Sequence, residues 1–436
     1  DLTLKMFIEP IIELDVPLLE EHLEDTKKLK EQLLDDVGVT KKDLMSNAKF
    51  AGLLKTLGAT VPMKVSPKTG KETFAFAKTD QGFIDLLDHE DVMVHMLAHA
   101  RLGNKSTLEE TRTQRFISIA GRGEQGKAWL PVPIKYYAAH TGRFGGDDKI
   151  NLQNLPSRGV NGKKLKRSMI APKGYVIIDC DSSQIEARVL AWLSGQDDLV
   201  QAFADGEDVY KQMAAIIYEV AVEDVTKEQR FVGKTTILGA GYGMGAIRFV
   251  DQLKTFGFEM GIDEARRVIN VYRETYYRIV GLWNDAKFTI QNLVDGNLTE
   301  LGREGVLEVC PELSAIKLPS GLLMRYDELS AEQGERGSEY TYKTRKGRTR
   351  LYGGKLIENV CQAIARCVIA EQMLKISKQY KVVLTVHDSV ACCVLAEQEV
   401  EARAYMEECM RWLPVWAKGL PIDCESGTGQ AYGDCE

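Results

Sequence analysis

Two aspartates close apolar, strand-like runs: Asp181 in Tyr175-Val-Ile-Ile-Asp-Cys-Asp181, and Asp388 in Val382-Val-Leu-Thr-Val-His-Asp388. Short runs rich in Val and Ile predict buried strands. A carboxylate at the tip of such a strand is costly unless a cation neutralises it. Two of them, far apart in the chain, suggest one metal site assembled where the strands meet. Two divalent ions about 4 Å apart can activate an attacking oxygen and stabilise a leaving one, which is the chemistry of nucleotidyl transfer. Taken alone, the pair is equally consistent with two unrelated surface acids following strands. Asp179 is assigned to the opposite face of its strand from Asp181.

Between the aspartates, Arg230, Lys234, Leu238 and Tyr242 recur every fourth residue. That spacing predicts one slowly drifting helix face. Two cations at its start suit a triphosphate, whose charge they would neutralise during transfer. The apolar residue then meets a base or sugar, and the tyrosine ends the stripe. The competing reading is a solvated face with two exposed bases. Two glycine-rich runs mislead. Gly239-Ala-Gly-Tyr-Gly-Met-Gly245 never fits G-x-G-x-x-G and follows a helix rather than a strand. Gly121-Arg-Gly-Glu-Gln-Gly126-Lys127-Ala128 nearly fits a P-loop, but Ala128 replaces the Ser/Thr, and Pro131 and Pro133 oppose the required helix.

The elements that must position these groups come from 436 residues, enough for two or three subdomains. Charged residues make up 27% and hydrophobic residues 44%, an ordinary globular balance. No apolar run approaches the ~20 residues of a membrane span. The chain opens at Asp1 rather than Met, as expected of a processed product or a fragment. The net charge of -7 argues against a protein that coats DNA, yet phosphate binding depends on local patches. Lys163, Lys164, Lys166 and Arg167 form one basic cluster, and Lys343, Arg345, Lys346, Arg348 and Arg350 form another. Nine cysteines without a Cys-x-x-Cys pair read as reduced core thiols. Residues 14 to 60 predict helices, Pro62, Pro67 and Gly70 a loop, and 80 to 103 a helical stripe. Residues 129 to 156 are irregular, and 206 to 300 are helical. Strands follow over 301 to 330, a helix over 354 to 379, a hairpin at His387-Asp388 and a last helix near 398 to 412.

Three segments in order, Asp181-Ser-Ser-Gln-Ile-Glu186-Ala-Arg188, Arg230 to Gly243, and Val386-His-Asp-Ser389, resemble motifs A, B and C of the family A DNA polymerases. Thr141-Gly-Arg143, Asn151-Leu-Gln-Asn-Leu-Pro156 and Gly353-Gly-Lys-Leu-Ile-Glu-Asn359-Val-Cys-Gln362-Ala-Ile-Ala-Arg366 extend the resemblance over residues 130 to 436. Tyr136-Tyr-Ala-Ala-His-Thr-Gly-Arg143 and Tyr352-Gly-Gly-Lys355 look more like phage members than bacterial ones.

The resemblance implies an α+β right-hand polymerase fold. It would comprise an N-terminal segment and helical thumb over 1–128, a first palm segment with motif A over 129–205, helical fingers with motif B over 206–300, and a second, antiparallel-sheet palm segment with motif C over 301–436. It implies template-directed attack of a primer 3′-hydroxyl on a dNTP α-phosphate, with release of pyrophosphate. Asp181 and Asp388 would hold two Mg²⁺, with Mn²⁺ able to substitute, assisted by the backbone carbonyl of Cys180 or Ser182. Arg230, Lys234, Leu238, Tyr242, Glu186, Gln184 and Tyr210 would bind the nucleotide. Arg230 and Lys234 also serve catalysis, and Glu186 crowds the sugar 2′ position, selecting deoxyribose by exclusion. Arg143, Gln153, Asn154, Asn359, Gln362, His387 and Gly243 would contact DNA. The implied partners are primer-template DNA, dNTPs and unidentified replication proteins, with no membrane, for a monomer in a bacterial or phage-infected cytoplasm.

The chain departs from the pattern at Ser389, where Glu is usual, at Leu238, where Phe or Tyr stands, and at Tyr210, where His is common. Ser389 and Leu238 also fit a single-subunit RNA polymerase-like enzyme, and Ser389 an inactive DNA-binding remnant. Glu186 opposes the first, and the set Asp181, Asp388, Arg230 and Lys234 opposes the second. Too few acids precede the helical region for a 3′–5′ exonuclease, so none is expected in this chain.

Overall fold

The computed structural model describes residues 1–435 apart from 67–68, 124–126, 157–161 and 335–336. Pro67 of the predicted loop and residues 124–126 of the P-loop-like run therefore lie outside the described residues. The chain divides into two compact units.

One unit, Glu13–Leu130 with Leu155–Ile170, is mainly helical. Its helix Val16–Asp35 starts where the Asp15 side chain accepts the Leu18 N–H, a standard N-cap. Phe50, Leu54, Phe83, Val94 and Leu97 bury together as its core. The stripe predicted over 80–103 is two helices, Gln81–Leu87 and Val92–Lys105. The break comes from Asp91, whose carboxylate accepts the N–H groups of Met93 and Val94 and restarts the helix. The first basic cluster is not a free patch. Lys164 pairs with Asp25 at 2.9 Å and Glu21 at 3.3 Å, and Lys166 is buried.

The other unit, Asp1–Ile12, Pro131–Asn154 and Ala171–Glu436, contains a four-stranded antiparallel sheet. Its strands are β1 (Tyr175–Ser182), β2 (Val382–Val386), β3 (Ser389–Leu395) and β4 (Cys424–Gly429), in the order β2-β3-β1-β4. Strand β1 is interior, which explains its unbroken apolar stretch. Strand β4 has no sequence signature. Its glycines serve close packing, since a Cβ on Gly427 would lie 1.7 Å from the Cys435 carbonyl oxygen. The second basic cluster falls on a three-stranded meander, Ser330–Gly334, Gly337–Thr344 and Gly347–Leu351.

Five helices of this unit carry the argument below: α1 (Ile185–Ser194), α2 (Val209–Tyr218), α3 (Lys227–Ala240), α4 (Gly353–Ile376) and α5 (Glu399–Arg411). Helix α4 buries residues on every side, among them Leu356, Val360, Ile364 and Val368, as a central core helix must. All nine cysteines are free and buried, in line with the core-thiol reading. Among the described residues no helix is long and apolar enough to cross a membrane.

Candidate functional site

Strand pairing decides where the two aspartates go. Residue Ser389 of β3 lies opposite Asp181 of β1, and the Ser182 N–H donates to the Asp388 carbonyl at 3.1 Å. Asp181 and Asp388 therefore sit at neighbouring strand ends. Pairing of β1 with both neighbours runs without a register shift. Residues two apart in a strand share a face, so Asp179 lies on the same side as Asp181, which corrects the opposite-face expectation. Cys180 and Ser182 occupy the other face and are buried.

Asp388 lies in the turn between β2 and β3, after His387, whose φ is 52°. Gln153 holds this turn. Its amide donates to the Thr385 carbonyl at 2.7 Å, and its oxygen accepts the His387 N–H at 2.6 Å. Burial pushes the Asp388 carboxyl above its ordinary range, against the pull of Arg143 and His387. The Arg143 guanidinium lies 3.8 Å from Asp388 and also pairs with Glu186 in the first turn of α1. Burial pushes Glu186 up as well; Arg143 opposes this, and the Asp388 charge adds to it.

Helix α3 begins in a capping box between Thr226 and Gln229, and Arg230, Lys234 and Leu238 follow on it. The helix stops at Ala240, so Tyr242 stands in the turn beyond rather than on the predicted stripe. Just beyond that end the Trp283 indole N–H donates to the Gly241 carbonyl at 2.8 Å, and Gly243 turns at φ 81°. Burial pushes the Tyr242 hydroxyl well up.

A cavity of about 410 Å³ is lined by Gln184, Glu186, Tyr210, Lys234, Leu238, Tyr242 and Asp388. Gln184, at φ 53°, precedes α1. The Lys234 ammonium lies 5.8 Å from the Tyr210 ring centroid. Arg230 is not in this lining. It pairs with Asp208 at 2.6 Å and lies 5.5 Å from the Tyr210 ring centroid. Asp208, absent from the sequence reading, also caps α2 through the Lys211 N–H, and its place just before that helix was the available signal.

The residues expected on DNA divide. His387 and Asn154 are exposed, Gln362 and Gly243 are half-buried, and Arg143 has joined the acids. Gln153 and Asn359 are turned inward, the latter donating to the Tyr326 hydroxyl at 3.2 Å. Ser389 is buried, and the Thr385 hydroxyl donates to its carbonyl at 2.8 Å.

The chain matches known proteins in sequence and in fold. The sequence pattern described as DNA polymerase family A matches residues 17–434. A DNA polymerase of Bacillus phage SP02 is 29% identical over 350 residues, covering 68% of this chain and 51% of its own. The thermostable DNA polymerase I of Thermus thermophilus is 26% identical over 296 residues, covering 68% of this chain and 31% of its own. The chain thus spans between about a third and a half of the length of these curated relatives. The POL domain of Pol1 from M. smegmatis, solved in complex with DNA primer-template and dNTP, superposes with a TM-score of 0.72 at 20% identity, over 100% of this chain and 69% of that one. That likeness establishes an α+β polymerase-domain fold, and with the sequence match over nearly its whole length the chain belongs to DNA polymerase family A.

Proposed function

We propose that this chain carries out template-directed DNA synthesis, adding dNMP units to a primer 3′-hydroxyl and releasing pyrophosphate. The observation that carries the reading is the meeting of Asp181 and Asp388 at adjacent strand ends beside a cavity lined by Lys234, Glu186 and Tyr242. The division into an N-terminal segment and thumb over 1–128, palm over 129–205, fingers over 206–300 and palm over 301–436 belongs to the same proposal.

The donor set suits Mg²⁺. Among the described residues no group of three or more His, Cys, Asp or Glu could hold a metal alone. Mg²⁺ typically binds through one or two carboxylates plus substrate phosphates, not through a protein cage. Burial makes ionisation of Asp388 and Glu186 costly and Arg143 offsets this only in part, so a further cation would be favoured beside them. Asp181 and Asp388 would hold the ions, with a backbone carbonyl of Cys180 or Ser182 as a further ligand. When bound, the ions would activate the 3′-hydroxyl and stabilise charge on the leaving oxygen.

The protein's own groups do the rest. Lys234 faces the cavity as a fixed positive charge for the triphosphate, with Arg230 one turn earlier on α3. Tyr210 and Leu238 form the apolar wall for base and sugar. Glu186, held by Arg143, stands where a 2′-hydroxyl would need room. Gln153 fixes the Asp388 turn from behind and acts on DNA only through His387.

Primer extension on a defined template with dNTPs or rNTPs, with and without Mg²⁺, tests the reading. Extension with dNTPs that requires the metal supports it. Preference for rNTPs would make the chain an RNA polymerase-like enzyme, and binding of primed template without extension would make it a remnant.

A further inference from the structure

Three of the chain's six histidines, His89, His95 and His99, crowd into one stretch of the helical unit, and the proposed function uses none of them. The last two stand one turn apart on the helix Val92–Lys105. We infer that His95 and His99 form a binding site for a divalent transition-metal ion, Zn²⁺, Ni²⁺ or Cu²⁺. The inference is independent of the polymerase reading.

Residues four apart share a helix face. The His95 and His99 rings accordingly lie with centroids 4.3 Å apart, tilted by 41°. His99 is exposed and His95 half-buried, so an ion can reach both. Two imidazoles on one tetrahedral Zn²⁺, with Zn–N bonds of about 2.0–2.1 Å, set their centroids roughly 5 Å apart. Rotation of the two surface side chains supplies the difference, with no shift of the backbone. His89 stands apart from the pair: its Nδ1 already accepts the Asp91 N–H at 3.0 Å.

A second observation points to a metal. The His99 Nε2 lies 3.2 Å from the Leu87 carbonyl oxygen. A carbonyl oxygen only accepts, so Nε2 carries the proton, and in the neutral ring Nδ1 keeps the free lone pair. Metal-bound histidines usually donate their other ring N–H in this way, which fixes the ring and makes the ligating nitrogen more basic. Leu87 ends the helix Gln81–Leu87, where the last carbonyls lack helical partners. The charge of the segment agrees. Asp85, Asp88, Glu90 and Asp91 lie in it, and between Gln81 and Ala100 there is no Lys or Arg. Arg101, the next base, is turned inward, 4.5 Å from the Phe50 ring centroid. Imidazole suits Zn²⁺, Ni²⁺ and Cu²⁺, whereas Mg²⁺ takes oxygen ligands. Among the described residues no third His, Cys, Asp or Glu joins the pair, so water fills the remaining positions.

The test is calorimetric titration with Zn²⁺, in a buffer holding Mg²⁺ and a phosphine reductant, of the parent chain, H95Q, H99Q and H89Q. Ions taken up by the strand-end acids are common to all four proteins and cancel. Gln is a better helix former than His and still offers an N–H to the Leu87 carbonyl, so the variants keep the fold. H95Q and H99Q should each lose one equivalent of Zn²⁺ or bind it at least about tenfold more weakly, since removing even the hydrogen-bond partner of a ligand costs about 10–100-fold. H89Q should match the parent. Parental binding in H95Q and H99Q overturns the inference, as does an equal loss in H89Q, which would spread the binding over the segment's histidines without a defined pair. Binding is read without DNA or nucleotide, so the outcome does not depend on whether the chain extends a primer.

Discussion

Gln153 clasps the turn that carries Asp388: its oxygen accepts the His387 N–H at 2.6 Å while its amide donates to the Thr385 carbonyl at 2.7 Å. Both partners are backbone groups, and Gln153 is 6% exposed, so water cannot easily replace it. Gln153→Ala should therefore cost about 1–3 kcal/mol, the usual cost of stranding buried polar groups. Urea unfolding reads the loss. If the clasp positions Asp388, kcat should fall while DNA affinity changes little.

Asp181→Asn and Asp388→Asn keep size and remove charge at the paired strand ends. Each should lower primer extension at least about a thousandfold, since metal-assisted stabilisation is worth several kcal/mol. DNA affinity should stay within a few-fold of the parent. Retained synthesis in either variant, followed by single-turnover extension, would refute the assignment.

Arg230 is held by Asp208 and lies outside the cavity lining. Burial opposes ionisation of Asp208, but the hydrogen bond from Arg230 prevails and keeps its carboxyl low. On the proposed function, incoming triphosphate must compete with that carboxylate. Asp208→Asn preserves the cap on α2 and removes the competing charge. The dNTP KM should drop about two- to fivefold, matching the ~0.5–1 kcal/mol of an exposed pair. A raised KM would mean that Asp208 aims Arg230 instead.

Gly354, at the start of α4, admits no side chain. A Cβ there would lie 2.3 Å from the Tyr242 carbonyl oxygen. Ala normally favours a helix over Gly by about 1 kcal/mol. Here Gly354→Ala should instead destabilise by roughly 1–3 kcal/mol through overpacking. Displacing Tyr242 should also raise the dNTP KM, measurable beside the melting temperature.

The Ser426 hydroxyl and the Arg411 guanidinium hold the Glu407 carboxyl below the ordinary range. A depressed carboxyl stabilises the fold above its unfolded pKa and loses that contribution as pH falls through its folded pKa. The parent should therefore exceed Glu407→Gln in stability at neutral pH by about 0.5–1.5 kcal/mol. The gap should close as pH drops below the ordinary glutamate value of about 4.3. Urea midpoints across pH 3 to 7, roughly spanning that value, decide it.

Local chemistry made much of this protein readable. Val- and Ile-rich runs marked β1 and β2, and fourfold spacing marked the face of α3 up to Leu238. Both are properties of a few consecutive residues. Tyr242 fell outside the pattern because α3 ends at Ala240 and the chain turns at Gly243, with φ 81°. Strand β4 stayed hidden because its glycines answer to the Cys435 backbone and not to strand propensity.

By itself, then, the sequence determined which side chains the chain can bring to chemistry: two strand-end carboxylates, a lysine and arginine in step, and a glutamate opening a helix. Tertiary structure alone decided that Ser389 lies opposite Asp181, that Arg143 bridges Glu186 and Asp388, and that Arg230 is held by Asp208. Strand register and the burial of charge depend on segments remote in the chain, and no local pattern encodes where those will land.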